Sequence, residues 1–245
     1  MNRTTLFVSL LGVALLGAVY LALRTEPVDA ISLKWAGSTH SLASSESFSH
    51  WNEDEPPLVP ARCAKCHSTY GYLDYIGEDG SVAGSVEADV PVGSVVSCRT
   101  CHNETAYAMT EVAFPSKERI DSLGHEAICM QCHQGRSSTV SVEEAIAGLD
   151  LDATSEDLGF INVHYAIAAA TQMGGAAKGA YQYPGKVYVG RFEHVEQMDV
   201  CIECHDPHSQ AVDPQSCSPC HLSVVGYQDM RDVRTDEGDY DGDGA

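Results

Sequence analysis

The string Cys-x-x-Cys-His occurs five times, at Cys63 to His67, Cys98 to His102, Cys129 to His133, Cys201 to His205 and Cys217 to His221, and the copies consume all 10 cysteines of the 245-residue chain. Nothing else in the sequence constrains the fold as strongly. Two thiols separated by two residues can both reach the vinyl groups of one porphyrin and form thioethers. The histidine that follows lies on the same short turn, so its imidazole falls under the iron as the first axial ligand. Zinc is the rival, because Cys201, Cys204, Cys217 and Cys220 form CxxC-x12-CxxC, close to a zinc-ribbon spacing. Histidine makes up 11 of 245 residues, and its chance occurrence after all five pairs has a probability of about 2×10⁻⁷. A disulfide scaffold has no use for the trailing histidine either. The five motifs therefore point to five covalently attached c-type haems.

Once a leader of about 30 residues is set aside, about 43 residues remain per haem. That is too little chain to build an ordinary core around each cofactor, so the haems would supply much of the buried apolar material. The expected fold is mostly irregular and α-helical with few short strands: a haem-cored structure with short helices at the motifs. The net charge of −21 disfavours a nucleic-acid partner, since a phosphate backbone would be repelled.

Residues 1–30 resemble an export signal, with Arg3 in a positive n-region, an apolar run of 18 residues from Leu6 to Leu23, and Val28-Asp29-Ala30 as a cleavage site. Cleavage after Ala30 is the favoured outcome. The alternative is an uncleaved anchor, because 18 residues just reach the minimum for a bilayer, and residues 6–23 would then be the sole membrane contact. Either route places the remainder outside the cytoplasm, in the periplasm or beyond the cell. Residues 31–235 form the haem domain and 236–245 an acidic Asp/Gly tail. Within that tail, Asp239, Asp241 and Asp243 begin like a calcium loop, but Ala245 follows before any closing carboxylate.

Local patterns give the elements in between. Glycines and valines before the second motif suggest turns and a short strand over 93–97. Thr110 to Phe114 and Glu118 to Asp121 suggest a small hairpin around Pro115-Ser116-Lys117. Ser141-Val142-Glu143-Glu144 fits a capping box opening a helix through Ala147. A longer helix is expected over Asn162 to Met173, with His164 in its first turn and Gly174-Gly175 ending it. Pro184-Gly185 suits a type II turn, and so predicts a β-hairpin near 181–189.

The sixth ligand of each iron decides the chemistry. His67, His102, His133, His205 and His221 serve as proximal ligands, which leaves six other histidines. His50 lies in an aromatic setting 13 residues before Cys63, His125 lies four before Cys129, and His194 seven before Cys201. His208 lies three after His205, and His164 opens the predicted helix. These five are the expected distal ligands, with His40 as the spare. Methionine ligation by Met109, Met130, Met173, Met198 or Met230 would raise the potential, but the histidines suffice and methionine usually packs. Bis-histidine iron is six-coordinate and leaves no open position for substrate, so the expected role is that of an electron carrier rather than an enzyme.

The five motifs, Cys204-His205-Asp206-Pro207-His208, and the run from Gly159 through His164 to Lys186 resemble the bis-histidine multihaem c-type cytochromes of metal-respiring and syntrophic anaerobic bacteria. The resemblance implies electron transfer in anaerobic respiration, with redox proteins as partners and extracellular acceptors among its destinations. It also implies a homopolymer as one form of such proteins, in which a histidine of one subunit ligates a haem of the next; His40 or His50 would suit that role. Two enzyme alternatives stand beside it. One is a multihaem reductase of nitrogen oxyanions or sulfite with one open haem position. The other is a membrane-anchored quinol-oxidising cytochrome.

Overall fold

The computed structural model describes residues 28–150 and 152–233. Most of this chain is short helix and irregular backbone, with two pairs of very short antiparallel strands. The leader run at 6–23 and the tail aspartates Asp239, Asp241 and Asp243 lie outside the described residues. Among the described residues no helix is long and apolar enough to cross a membrane. The first helix, α1 (Val28–Ala36), runs through Ala30.

After α1 and the short α2 (Glu46–Ser49), strand β1 (Leu58–Val59) leads into α3 (Ala61–His67), which carries the first motif. The next helix, α4 (Thr69–Ile76), follows after a single residue. Ser68 caps it by accepting from the Tyr70 and Gly71 amides at 3.1 and 3.5 Å, and Gly77 ends it in the left-handed conformation (φ 76°) that glycine adopts without strain. Helices α3 and α4 pack so closely that a Cβ on Gly71 would stand 2.5 Å from the Ala64 Cβ and carbonyl oxygen. Strand β2 (Val90–Pro91) pairs with β1, and α5 (Cys98–Cys101) carries the second motif, followed by α6 (Glu104–Ala108).

The expected hairpin around Pro115 is present as β3 (Val112–Ala113) and β4 (Arg119–Ile120). The expected strand over 93–97 is absent, because side chains take up its backbone groups. Thr69 Oγ1 donates to Val95 O and accepts from Ser97 N, and Trp35 Nε1 donates to Val96 O at 2.9 Å. Val96 N in turn donates to His40 O at 3.1 Å, which ties the N-terminal segment to the approach of the second motif.

The third motif lies on α7 (Glu126–His133), the hub of the fold. Ala127 and Met130 enter one apolar cluster with Val112, Phe114, Leu123 and Met173. Ile128 and Cys132 pack against a second cluster of Tyr72, Leu73, Ile76 and Ala106. Helix α8 (Thr139–Ala145) starts before the expected box. Ser138 is its N-cap, and Ser141 Oγ accepts from Ser138 N at 3.1 Å. A serine three residues after the cap therefore does what Glu144 was expected to do.

The expected helix over 162–173 is displaced toward the C-terminus, to α9 (Ala168–Ala177). His164 precedes it with φ 84° and is not in a helical turn. Gly174 does not end α9 but kinks it (φ 49°, ψ −126°), and this kink explains why the hairpin near 181–189 does not form. The turn at Pro184-Gly185 is present, with Lys186 N donating to Tyr183 O at 3.2 Å and Gly185 at φ 77°. Residues 188–192, however, pair with α9: Gly175 N donates to Val189 O at 2.5 Å and Phe192 N to Gln172 O at 2.6 Å. A Cβ on Gly174 would meet Gly190 O at 2.5 Å, so only glycine admits this crossing.

The chain reaches the fourth motif, on α10 (Cys201–Cys204), through a buried ionic knot. Arg191 Nη2 bonds to Glu126 Oε2 and Asp199 Oδ2, each at 3.1 Å, and Glu126 is 4% exposed. This knot holds α10 against α7.

Candidate haem-ligand pairs

The side chains of the motifs are not scattered over the fold. The ring of His67 stands edge-on to that of His164, 5.8 Å between centroids with planes at 71°, and that of His102 faces His208 at 6.1 Å with planes 6° from parallel. His133 faces His40 at 6.3 Å, and His221 faces His194 at 5.9 Å. Each pair joins one motif histidine to one histidine from elsewhere in the chain. Two imidazoles bound to opposite sides of one iron, with Fe–N bonds of about 2.0–2.1 Å, place their centroids about 6 Å apart.

The second ring nitrogen supports the same chemistry. His67 Nδ1 bonds to Ser47 O at 2.7 Å, His133 Nδ1 to Ala166 O at 2.9 Å, and His205 Nδ1 to Gln210 O at 3.0 Å. A carbonyl only accepts, so Nδ1 carries the proton and Nε2 is left as a bare donor for a metal, oriented by the bond behind it. His102 Nδ1 contacts the Tyr107 hydroxyl, which can donate as well as accept and so does not fix the tautomer. Burial, followed by the neighbouring His133, holds the pKa of His40 below its ordinary value. Burial does the same for His67 and, with His67 beside it, for His164. The neutral imidazole is the form that binds iron.

The sulfurs of different motifs also converge. Cys66 lies beside Cys132, and Cys129 beside Cys201. In the unmodified chain, the neighbouring Cys66 thiol and burial push the Cys132 thiol up; the neighbouring Cys129 thiol and burial do the same for Cys201. Cys63 and Cys101 are raised by burial as well. Of the four cysteines with zinc-ribbon spacing, Cys204 lies near Cys201 and Cys217 while Cys201 meets Cys129 of the third motif, and no group of three or more His, Cys, Asp or Glu gathers for a metal ion among the described residues. An axial pair needs only two side chains, so this observation does not bear on haem. No family model, curated protein or solved structure matches the chain.

The histidines that lie beside motif histidines differ in one respect from those expected as distal ligands. His40, read as the spare, stands opposite His133. His164, His194 and His208 face motif histidines, whereas His50 and His125 do not. His50 is exposed, bonds through Nδ1 to Glu46 Oε1 at 2.7 Å, and stands edge-on to Trp51. His125 immediately precedes α7 and stands edge-on to Tyr107. Among the described residues, the His205 ring has no histidine facing it. The signal that singles out His40 is tertiary: its segment is tied to the rest of the fold by Val96 N donating to the His40 carbonyl and by Trp35 Nε1 donating to Val96 O. Met130 and Met173 are buried in the apolar core and Met109 Sδ accepts from Gln131 Nε2 at 3.2 Å, so these three methionines are engaged in packing and in that bond.

Proposed function

We propose that the chain is a pentahaem c-type cytochrome that carries single electrons in anaerobic respiration outside the cytoplasm. The observation that carries this reading is the set of four histidine pairs, 5.8–6.3 Å apart, each made of one motif histidine and one distant histidine. Cys63, Cys66, Cys98, Cys101, Cys129, Cys132, Cys201, Cys204, Cys217 and Cys220 would hold the haems. When bound, haem supplies a one-electron ferric/ferrous couple. The protein's own part would be to orient the imidazoles from behind, to keep them neutral, and to bring a second histidine beside His67, His102, His133 and His221.

The pairing of His205 separates this role from catalysis. His125 adjoins Glu126, whose Oε1 lies 3.8 Å from Cys201 Sγ, which makes it the candidate within the chain. His50, exposed and held by Glu46, is the candidate for donation to a second copy in a polymer. If neither binds, the iron at His205 has an open position and the protein is a reductase.

Low-temperature EPR of the oxidised holoprotein, with haem counted by mass, tests the proposal. Five low-spin haems are expected. One high-spin haem that binds nitrite, sulfite or carbon monoxide would transfer the reading to a reductase. A mass without five haems would end it.

A further inference from the structure

Asp206 lies between His205, the histidine of the fourth motif, and His208, whose ring faces that of His102 of the second motif. Its carboxylate is shared between two tasks. Oδ1 accepts from His208 N at 3.0 Å, Ser209 N at 2.8 Å and Ser209 Oγ at 3.0 Å. An aspartate or asparagine side chain has the length to accept from amides two and three residues on, which longer side chains do not match. Oδ2 accepts from Lys34 Nζ on α1 at 3.0 Å. Both partners of that ion pair are about one-third exposed, so it adds little stability and serves to fix the rotation of the carboxylate. The backbone closes the same loop. Gln210 N donates to Asp206 O at 2.8 Å, Asp206 N donates to Ala211 O at 2.9 Å, and Gln210 Nε2 donates to His208 O at 2.9 Å. On α1 the next residue, Trp35, holds Val96 on the approach to the second motif, so one helix is fastened to both sides of the His102–His208 pair.

We propose that Asp206 is the positioning residue that sets His208 as the distal ligand of the haem on the second motif. The proposal rests on the pentahaem reading and names the group that holds one of its ligands in place. His208 sits on a turn rather than on a helix, so its imidazole is only as well placed as the loop that carries it. The groups behind a metal ligand decide whether it meets the metal in a productive orientation. Asp206 acts through the backbone of His208, by accepting from its amide and from that of the residue after it.

The test compares Asp206→Ala, Asp206→Asn and His208→Ala with the wild type, each as the full haem-loaded chain, by EPR and by carbon monoxide uptake. His208→Ala is expected to add one high-spin haem that takes up one carbon monoxide per chain. Asp206→Ala should reproduce that change in whole or in part. Asp206→Asn should keep the wild-type spectrum, because the amide oxygen still accepts from the two backbone amides. An Asp206→Ala protein with the wild-type spin states and only a lower Tm would overturn the proposal, since the carboxylate would then merely stabilise the loop. Loss of the low-spin signal in Asp206→Asn as well would also overturn it, by assigning the effect to charge. If Asp206→Ala fails to load five haems, hydrogen exchange in the wild-type holoprotein decides. Protected His208 and Ser209 amides support the proposal, and exchange at the rate of an open chain overturns it. Failure of the wild type to carry five haems by mass defeats the pentahaem reading instead.

Discussion

At His40 a single imidazole carries a distinct consequence. Its ring is 6.3 Å from that of His133, and its backbone is fastened to Val96. Under the pentahaem reading, His40→Ala should leave one of five haems high-spin and able to take up one carbon monoxide per chain. His40→Met should keep that haem low-spin and raise its potential, because thioether ligation favours the reduced iron. EPR and CO difference spectra measure both, and an unchanged spectrum in His40→Ala would exclude the pairing. The six non-motif histidines were legible in the sequence. Which of them would lie beside a motif histidine was not, since His40 and His50 sit in the same polar N-terminal segment and differ only in what folds against them.

Between elements, the tightest joint is that of α3 with α4. Ser68 separates two helices that meet at Ala64 and Gly71, and the first motif is held by this joint. Gly71→Ala should destabilise the holoprotein by about 1–3 kcal/mol, the range for an overpacked interior site. A chemical denaturation series that gave an unchanged midpoint would show that the helices can separate at no cost. The failed strand at 93–97 and the failed hairpin at 181–189 have one physical cause. Short strands contribute little by themselves, and in each case backbone donors or acceptors found partners elsewhere: Thr69 and Trp35 at the first, the kinked α9 at the second. Turn chemistry at Pro184-Gly185 was readable because it depends on two residues; the partner of the strand that follows was not.

For the molecule as a whole, the protein interior is divided between two modest apolar clusters joined through α7. Many large apolar side chains are exposed around them, among them Phe160 at 92% and Val187 at 100%. A chain expressed without haem attachment should therefore lack a cooperative melt and exchange its α4 and α7 amides rapidly, whereas the holoprotein protects them. Slow exchange in the haem-free chain would mean that the polypeptide supports its own fold and that the cofactors are guests rather than core.

The sequence by itself determined what depends on neighbours along the chain: five Cys-x-x-Cys-His strings, the net negative charge and the hairpin at 112–120. These follow from spacings of a few residues, which local geometry enforces. Only the tertiary structure decided which distant histidine lies beside which motif histidine and that α7 stands at the centre, between the two apolar clusters. Those pairings join residues remote in sequence, and they are selected by packing and by the search of each buried polar group for a partner, neither of which is written in local spacing.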